Sequence, residues 1–271
     1  MAESSSAKRA RFEKQGHASL TTLPSDLGLE ILGRVASHSI KDISNVKLTC
    51  KELLHLAEHD SVYKKSSLEK FACVHVNLVN KEKPFSHRVD NRCDNGHEDQ
   101  YIGTLYNFVY SPEEIYSMYR QALFLRRCRK SGNPELLYRD GMVIFFQQNC
   151  CSFRENLALQ NLKNAALTDH IDAKYVYCTL LMVSEDKEKR NHGLEMFCSL
   201  KMTIDLDDCK QRVRSFLRGM WVRRKVVPIH DFSFCNSTIC KALNVVNNLD
   251  DREITCEYCH ADAELKEFCN I

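Results

Sequence analysis

The sequence predicts an all-α protein in which a few short helices precede an array of helical hairpins. Only nine of the 271 residues are Gly and only five are Pro, so helix breakers are scarce. Apolar residues recur every three or four positions between Leu23 and Ala57 and again after residue 105, which is the spacing of amphipathic helices. The strict alternation that marks a half-buried strand is rare. We therefore expect helices rather than a sheet.

The charge balance and the cysteine content limit the classes of function. The net charge is only +2, so the overall field favours neither nucleic acid nor a membrane as a partner. The 14 cysteines follow no secretory leader with an apolar core, and we expect mostly free thiols in the reducing nucleus or cytoplasm. P-loop, GxSxG and HExxH motifs are absent, and the apolar runs are too short to span a bilayer. These features predict a non-catalytic protein.

Changes in composition divide the chain into five segments. The N-terminal residues are too polar to be buried and predict a disordered tail, whose basic tetrad Lys8–Arg11 fits either a nuclear import signal or ordinary solvated charge. A second polar stretch with Pro84 and Gly96 predicts a linker. The predicted segments are the tail at 1–19, the first helices with a trailing helix at 20–80, the linker at 81–104, the hairpin array at 105–225 and a Cys-rich tail at 226–271.

The first helical segment combines a helix start with apolar side chains at helical spacing. Pro24 suits the first turn of a helix, and Asp26 and Glu30 place negative charge near the positive end of its dipole. A second apolar series runs from Ile43 to Ala57, and the helical pattern continues from Tyr63 to Val79. Helices this short bury too little surface to be stable alone. On spacing alone they indicate a helical hairpin docked on the rest of the chain.

The segment LPSDLGLEILGRV followed by KDISNVKLTCKEL resembles an F-box. This resemblance implies that the segment docks on the Skp-type adaptor of a cullin-based ubiquitin ligase. A row of aliphatic anchors suits such a contact between a helix and a groove. The adaptor-binding residues that it implies are Leu23, Pro24, Leu27, Ile31, Leu32, Val35, Ile43, Val46, Leu48 and Cys50.

Helix start and stop signals are clear after residue 110. Ser111–Glu114 and Ser152–Glu155 are capping boxes, and Gly132 after a basic run marks a helix end. Asn133-Pro134 starts the next helix, and Asp169 is the predicted cap of a further one. The apolar stripes that follow these signals are Ile115–Leu125, Leu137–Phe145, Leu159–Ala166, Ala173–Leu181 and Leu194–Leu200, with a last helix over 207–222. The basic run at 223–225 then suits the C-terminal end of a helix and needs no nucleic acid.

Two of these helices align as copies of one unit. Leu137-Tyr138 and Val176-Tyr177 lie 39 residues apart, within the period of helical-hairpin repeats. The segment LKNAALTDHIDAKYVYCTLLM resembles the Sel1-like variety of tetratricopeptide repeat. That resemblance implies small residues where paired helices touch, at Ala165, Ala166 and Ala173. It also implies a helical-repeat domain at 105–225, and a generic helical bundle is the alternative interpretation.

The cysteines near the C-terminus are the candidate metal ligands. Cys256 and Cys259 form a C-x₂-C pair, with His260 beside it and Cys269 further along. Zinc takes four Cys or His ligands in a tetrahedron. Cys256, Cys259, Cys269 and His260 are therefore candidate zinc ligands, with Cys235 or Cys240 as alternatives. Small apolar thiols without a metal are the other interpretation, and no other cofactor is expected.

The order of F-box, linker, short helical repeat and Cys-rich tail resembles a group of plant F-box proteins. This resemblance implies a substrate receptor that docks on the Skp-type adaptor and the cullin ligase core and presents a target through residues 105–225. The alternative is a helical-repeat scaffold or zinc-stabilised regulator outside the ubiquitin system. In that case the F-box-like segment is only an N-terminal cap of the repeat.

Overall fold

The computed structural model describes residues 23–69, 71, 112–147, 152–202, 206–220, 222, 224–227, 233–238, 240 and 256–270. These residues form eleven α-helices and no strand, so the predicted all-α class is confirmed. None of the helices in this part of the chain has the length and apolar character needed to cross a membrane. The predicted N-terminal tail and linker lie outside the described residues. The chain divides into two compact units, residues 1–66 and 67–271.

The first unit contains four short helices. They pack around the apolar side chains of Leu32, Ala36, Ile43, Ala57 and Val62. The Ser39 hydroxyl caps the second helix by accepting from the backbone N–H of Asp42 at 3.2 Å. The four helices are α1 (Ser25–His38), α2 (Ile40–Lys47), α3 (Lys51–Ala57) and α4 (Asp60–Lys65).

Two helical series predicted in this unit are shorter than the sequence indicated. The series from Ile43 to Ala57 is divided between α2 and α3, because residues 48–50 leave the helix and Cys50 is already extended at the start of α3. The helix predicted from Tyr63 to Val79 ends at Lys65, since Ser66 adopts an extended backbone. Residues 72–79 of that prediction lie outside the described residues. A Lys47–Glu58–Tyr63 contact joins α2 to α4, with the ammonium 2.6 Å from the carboxylate and 2.8 Å from the phenol oxygen.

The second unit is built from two helical hairpins with further helices on either side. In chain order the helices are α5 (Pro112–Lys130), α6 (Pro134–Gln147), α7 (Ser152–Ala166), α8 (Ile171–Met182), α9 (Lys187–Lys201), α10 (Leu206–Arg218) and α11 (Glu257–Cys269). α6 packs on α7, α8 packs on α9, and the two hairpins meet through α7 and α8.

Most helix ends in this unit lie where the local signals predicted them. α5 ends before Gly132, which adopts a left-handed φ of 70°, and the N–H of Asn133 reaches back to the carbonyl of Cys128 at 2.9 Å. The predicted cap of α8 is wrong. Asp169 has a φ of 62° and pairs with Lys174, while the His170 ring nitrogen accepts from the N–H of Ala173 at 3.2 Å.

Small residues allow the paired helices to approach closely. Ala165, Ala166 and Ala173 are all buried, as predicted for residues at helix contacts. Gly141 on α6 lies against Leu162 and Ala158 of α7, and Gly193 on α9 lies against the backbone of α8. A side chain at either glycine would meet atoms of the partner helix.

The C-terminal helix α11 is part of this second unit. Its Phe268 joins the main apolar cluster of the hairpins. Ala261 and Leu265 pack in a second cluster with Met182 and Phe197. The helix α11 therefore packs onto α8 and α9.

Candidate functional sites

The first unit exposes several apolar side chains on its surface. Leu27 and Ile31 lie four residues apart on one face of α1 and are 49% and 37% exposed. Leu48, which follows α2, is 85% exposed. Leu54 on α3 is also exposed, although it was not among the predicted contact residues. These side chains are available to a partner.

The other predicted adaptor contacts are less accessible. Leu32 and Ile43 are 1% and 3% exposed because they form the core of the unit, so the structure places them as support rather than as surface anchors. Val35 and Val46 are partly buried against this core. Pro24 is exposed at the start of α1, and Leu23 and Cys50 are partly exposed.

Four cysteines from two separate segments come together in the second unit. Cys256 precedes α11 and Cys259 lies in its first turn, while Cys235 and Cys240 come from the preceding segment. The four sulfur atoms lie within 4.8 Å of one another, and those of Cys235 and Cys256 are 3.9 Å apart. Cys235 and Cys259 are buried, and Cys240 and Cys256 are partly exposed.

Two of the four predicted metal ligands are not in this group. Cys269 lies ten residues after Cys259 on the same helix, which at 1.5 Å per residue separates them by about 15 Å. His260 follows Cys259 directly but does not share the cluster. The C-x₂-C pair is instead grouped with Cys235 and Cys240.

The environment acts differently on the two thiols of the C-x₂-C pair. The backbone N–H of Cys259 lowers the pKa of the Cys256 thiol. Burial raises the pKa of the Cys259 thiol. The two sulfur atoms of the C-x₂-C pair therefore lie in different surroundings.

Asp262 joins the two cysteine segments. Its carboxylate accepts from the backbone N–H groups of Phe234 at 2.8 Å and Cys235 at 3.0 Å. The Ser233 hydroxyl donates to the same carboxylate. Asp262 lies three residues after Cys259 and so on the same side of α11. This contact fixes the segment around Cys235 against the helix that carries Cys259.

A buried polar network holds α11 on the hairpins. The Tyr175 hydroxyl of α8 donates to Glu264 at 2.5 Å, and the Lys210 ammonium of α10 contacts the other oxygen of Glu264 at 2.5 Å. Lys210 also reaches Glu267 at 3.0 Å, and Arg214 pairs with Glu267. Burial raises the pKa values of both Tyr175 and Glu264. The network therefore fixes one orientation of α11.

Apolar side chains also remain exposed on two helices of the repeat, α5 and α7. Tyr119 and Leu123 lie four residues apart on α5. Phe153 and Leu157 form a similar pair on α7. By contrast, Arg224 of the C-terminal basic run stacks on Phe145, 4.3 Å from the ring centre, and pairs with Glu155 at 3.0 Å. That arginine therefore contacts the hairpins. It lies beyond the end of α10 at Arg218, so the prediction that the basic run forms the C-terminal end of a helix is wrong.

Comparisons with known proteins give a family match in the repeat and a distant relative over most of the chain. Residues 110–218 match the family described as plant tetratrico peptide repeats. Over 208 residues the chain is 22% identical to the Arabidopsis thaliana protein named "Putative F-box protein At1g67623". The predicted resemblance is confirmed. The match covers 74% of this chain and 55% of that relative, so the chain spans about half the length of the curated protein. No solved structure matches the chain significantly.

The predicted ligand set contains Cys256 and Cys259 of the cluster, with Cys235 and Cys240 only as alternatives. Cys235 and Cys240 form a C-x₄-C signal that is visible in the sequence, yet it is separated from Cys256 by 15 residues. No sequence motif predicts the role of Asp262, because its carboxylate accepts mainly from backbone N–H groups. The exposed Leu54 belongs to an apolar series in which spacing alone does not identify the outward face.

Proposed function

We propose that the protein is an F-box substrate receptor that docks on a Skp-type adaptor of a cullin-based ubiquitin ligase. The observation that carries the proposal is the exposed pair Leu27 and Ile31 on α1, inside the segment that resembles an F-box. The similarity to a relative named as an F-box protein supports it. In this role the chain contributes recognition, and the remainder of the ligase supplies the chemistry.

The exposed aliphatic side chains explain how the first unit would hold an adaptor. Full burial of a leucine or isoleucine side chain contributes about 1.5–3 kcal/mol. Leu27, Ile31 and Leu48 are exposed, so much of their apolar surface can still be buried by a partner. Leu32 and Ile43 pack in the core of the unit and hold α1 and α2 in place. A rigid helix with apolar anchors suits a preformed groove.

The repeat is the part of the chain that we assign to the target. Helical-repeat domains present extended surfaces to protein partners. The exposed pairs Tyr119–Leu123 and Phe153–Leu157 supply apolar contact area on two of its helices. Aromatic residues are enriched at protein interfaces. We infer that these pairs contact the target protein.

Co-purification of the full chain with a Skp-type adaptor from Arabidopsis thaliana tests the adaptor contact. Wild-type protein should form a stable complex. Ile31→Asp would place a charge in an apolar groove, and a cost of about 3 kcal/mol would weaken binding by about 100-fold. Leu27→Asp should act in the same direction. Circular dichroism should show that both variants keep their helices.

Leu167→Asp is the matched control, because Leu167 is an exposed leucine of the second unit. It should bind the adaptor as the wild type does. Wild-type affinity in the Ile31→Asp variant would contradict the proposed contact. Failure of the wild-type chain to bind the adaptor would favour the alternative function, a repeat scaffold outside the ubiquitin system.

A further inference from the structure

The four-cysteine cluster lies outside the surfaces assigned to the adaptor and to the target. We propose that Cys235, Cys240, Cys256 and Cys259 bind one structural zinc ion as a tetrathiolate centre. The cysteines come from a C-x₄-C and a C-x₂-C pair, and paired cysteines of this kind are the usual ligands of structural zinc. The inference does not depend on the proposed ubiquitin-ligase role.

The distances between the sulfur atoms fit a tetrahedral zinc centre. With Zn–S bonds of about 2.3 Å, two sulfur atoms of a regular tetrahedron lie about 3.8 Å apart. Cys235 and Cys256 are 3.9 Å apart, and all four sulfur atoms lie within 4.8 Å of one another. A disulfide would require about 2.05 Å. The cluster therefore has the spacing of metal ligands rather than of a bonded pair.

The position of the cluster favours the negatively charged complex that four thiolates form with zinc. Zinc binding releases one proton from each of the four thiols, and the four thiolates then carry two charges more than Zn²⁺ neutralises. Cys256 and Cys259 stand at the N-terminal end of α11, where the helix dipole stabilises negative charge. This end of the helix offsets part of the excess charge.

Asp262 is the positioning residue of the proposed centre. It holds the backbone on either side of the Phe234–Cys235 peptide bond against α11. Phe234 also packs beside Ala261 and Leu265, so the segment is fixed by apolar contact as well. Groups of this kind orient metal ligands without touching the ion, and losing one typically weakens metal binding by about 10–100-fold.

Metal analysis of the full chain tests the proposal directly. Protein prepared under reducing conditions with zinc should retain about one zinc per chain after gel filtration. A thiol reagent should release that zinc in step with the modification of four cysteines. Replacing zinc with cobalt should give the visible absorption of a tetrahedral tetrathiolate site. This spectrum reports the ligands of the wild-type protein and does not require a variant to fold.

Single substitutions then identify the ligands. Cys235→Ser, Cys240→Ser, Cys256→Ser and Cys259→Ser should each lose most of the zinc, because a hydroxyl is a poor ligand for it. Cys269→Ser is the matched control at the far end of α11 and should retain the metal, as should His260→Gln. Asp262→Asn should keep the tetrathiolate cobalt spectrum but lose zinc to a competing chelator at about 10–100-fold lower chelator concentration.

Several outcomes would overturn the proposal. Wild-type protein that binds neither zinc nor cobalt would mean that the thiols serve packing only. Zinc that persists in Cys256→Ser, or is lost in Cys269→Ser, would refute this ligand set. Bound iron that zinc does not displace would refute the choice of metal. Adaptor binding through the first unit is measured separately, so a failure here leaves the proposed function standing.

Discussion

Gly193 lies at a close contact between the helices of the second hairpin, and we predict that one added methyl group destabilises the second unit. A Cβ atom at this position would be 2.7 Å from the carbonyl oxygen of Cys178 and 2.9 Å from the amide nitrogen of Met182. It would also be 2.8 Å from the Cβ of Leu181. These atoms are fixed in the backbone and first side-chain bond of α8, so Gly193→Ala must move one helix away from the other.

The size of the effect follows from two opposing terms. Overpacking a well-packed contact costs about 1–3 kcal/mol, and three close contacts place Gly193 at the upper end of that range. The better helix propensity of Ala returns about 1 kcal/mol. The free energy of unfolding should therefore fall by about 2 kcal/mol. For a unit of about 200 residues this lowers the melting temperature by about 4–8 °C.

Scanning calorimetry of the full chain would measure the change, with two further glycines for comparison. Gly219→Ala meets only carbonyl oxygens of Phe216 and Ser215 at 3.4 and 3.5 Å, so its melting temperature should match or exceed that of the wild type. Gly141→Ala should lie between, because the closest atom belongs to the side chain of Leu162. The reasoning fails if Gly193→Ala melts at or above the wild type, or if Gly219→Ala costs as much.

Three further predictions concern other parts of the core. Ala166→Leu should lower the free energy of unfolding by about 1–3 kcal/mol in urea titrations, because Ala166 is buried between helices; an unchanged midpoint would contradict that placement. Leu32→Asp should abolish hydrogen-exchange protection in the first unit, whereas Ile31→Asp should preserve it, and equal protection in both would refute the assigned faces of α1. Lys210→Met should leave the Glu264 carboxylate without its cation. Burial already raises the pKa of Glu264, so the folded state accommodates the protonated acid at a lower free-energy cost than the unpaired carboxylate. The loss of stability should be largest near neutral pH and shrink as the pH falls through that pKa, and a loss independent of pH would argue against it.

The boundaries of the longer helices could be predicted because they depend on local chemistry. Ser111–Glu114 and Asn133-Pro134 specify helix starts within a few residues, and α5 and α6 begin at the two prolines. Gly132 supplies the left-handed residue that ends α5. Asp169 and His170 are both able to cap α8. The outcome depends on Glu135, distant in sequence, whose carboxylate lies 2.8 Å from Nε2 of the His170 ring. Local chemistry alone does not decide such a case.

The candidate sites could be predicted only in part, because they depend on the path of the chain. Ile31 and Leu32 are adjacent aliphatic residues in one apolar series, and the packing of α2 and α4 decides which of them is buried. Cys269 illustrates a different error. Once α11 is recognised as a continuous helix, the rise per residue alone separates Cys259 from Cys269 by too great a distance for one ion. The grouping of Cys235 with Cys256 and Cys259 depends on how the chain after α10 folds back, which local sequence does not determine.

The C-terminal helix α11 helps to cover the apolar end of a short repeat array. Two hairpins are fewer than the three repeats that normally make a stable solenoid, and the end of the array is covered by α10 and α11, with Phe268 inserted into the main core. The buried pairing of Lys210 with Glu264 adds little net stability, but losing one partner is costly. This ion pair therefore determines the position of α11 more than it contributes to the free energy of docking. The free energy that holds α11 in place has to come from apolar burial and, in our proposal, from the metal that joins Cys235 and Cys240 to the N-terminal end of α11. A fragment ending at the compositional boundary near residue 225 would lose this cover, so the full chain is needed to measure recognition by the repeat.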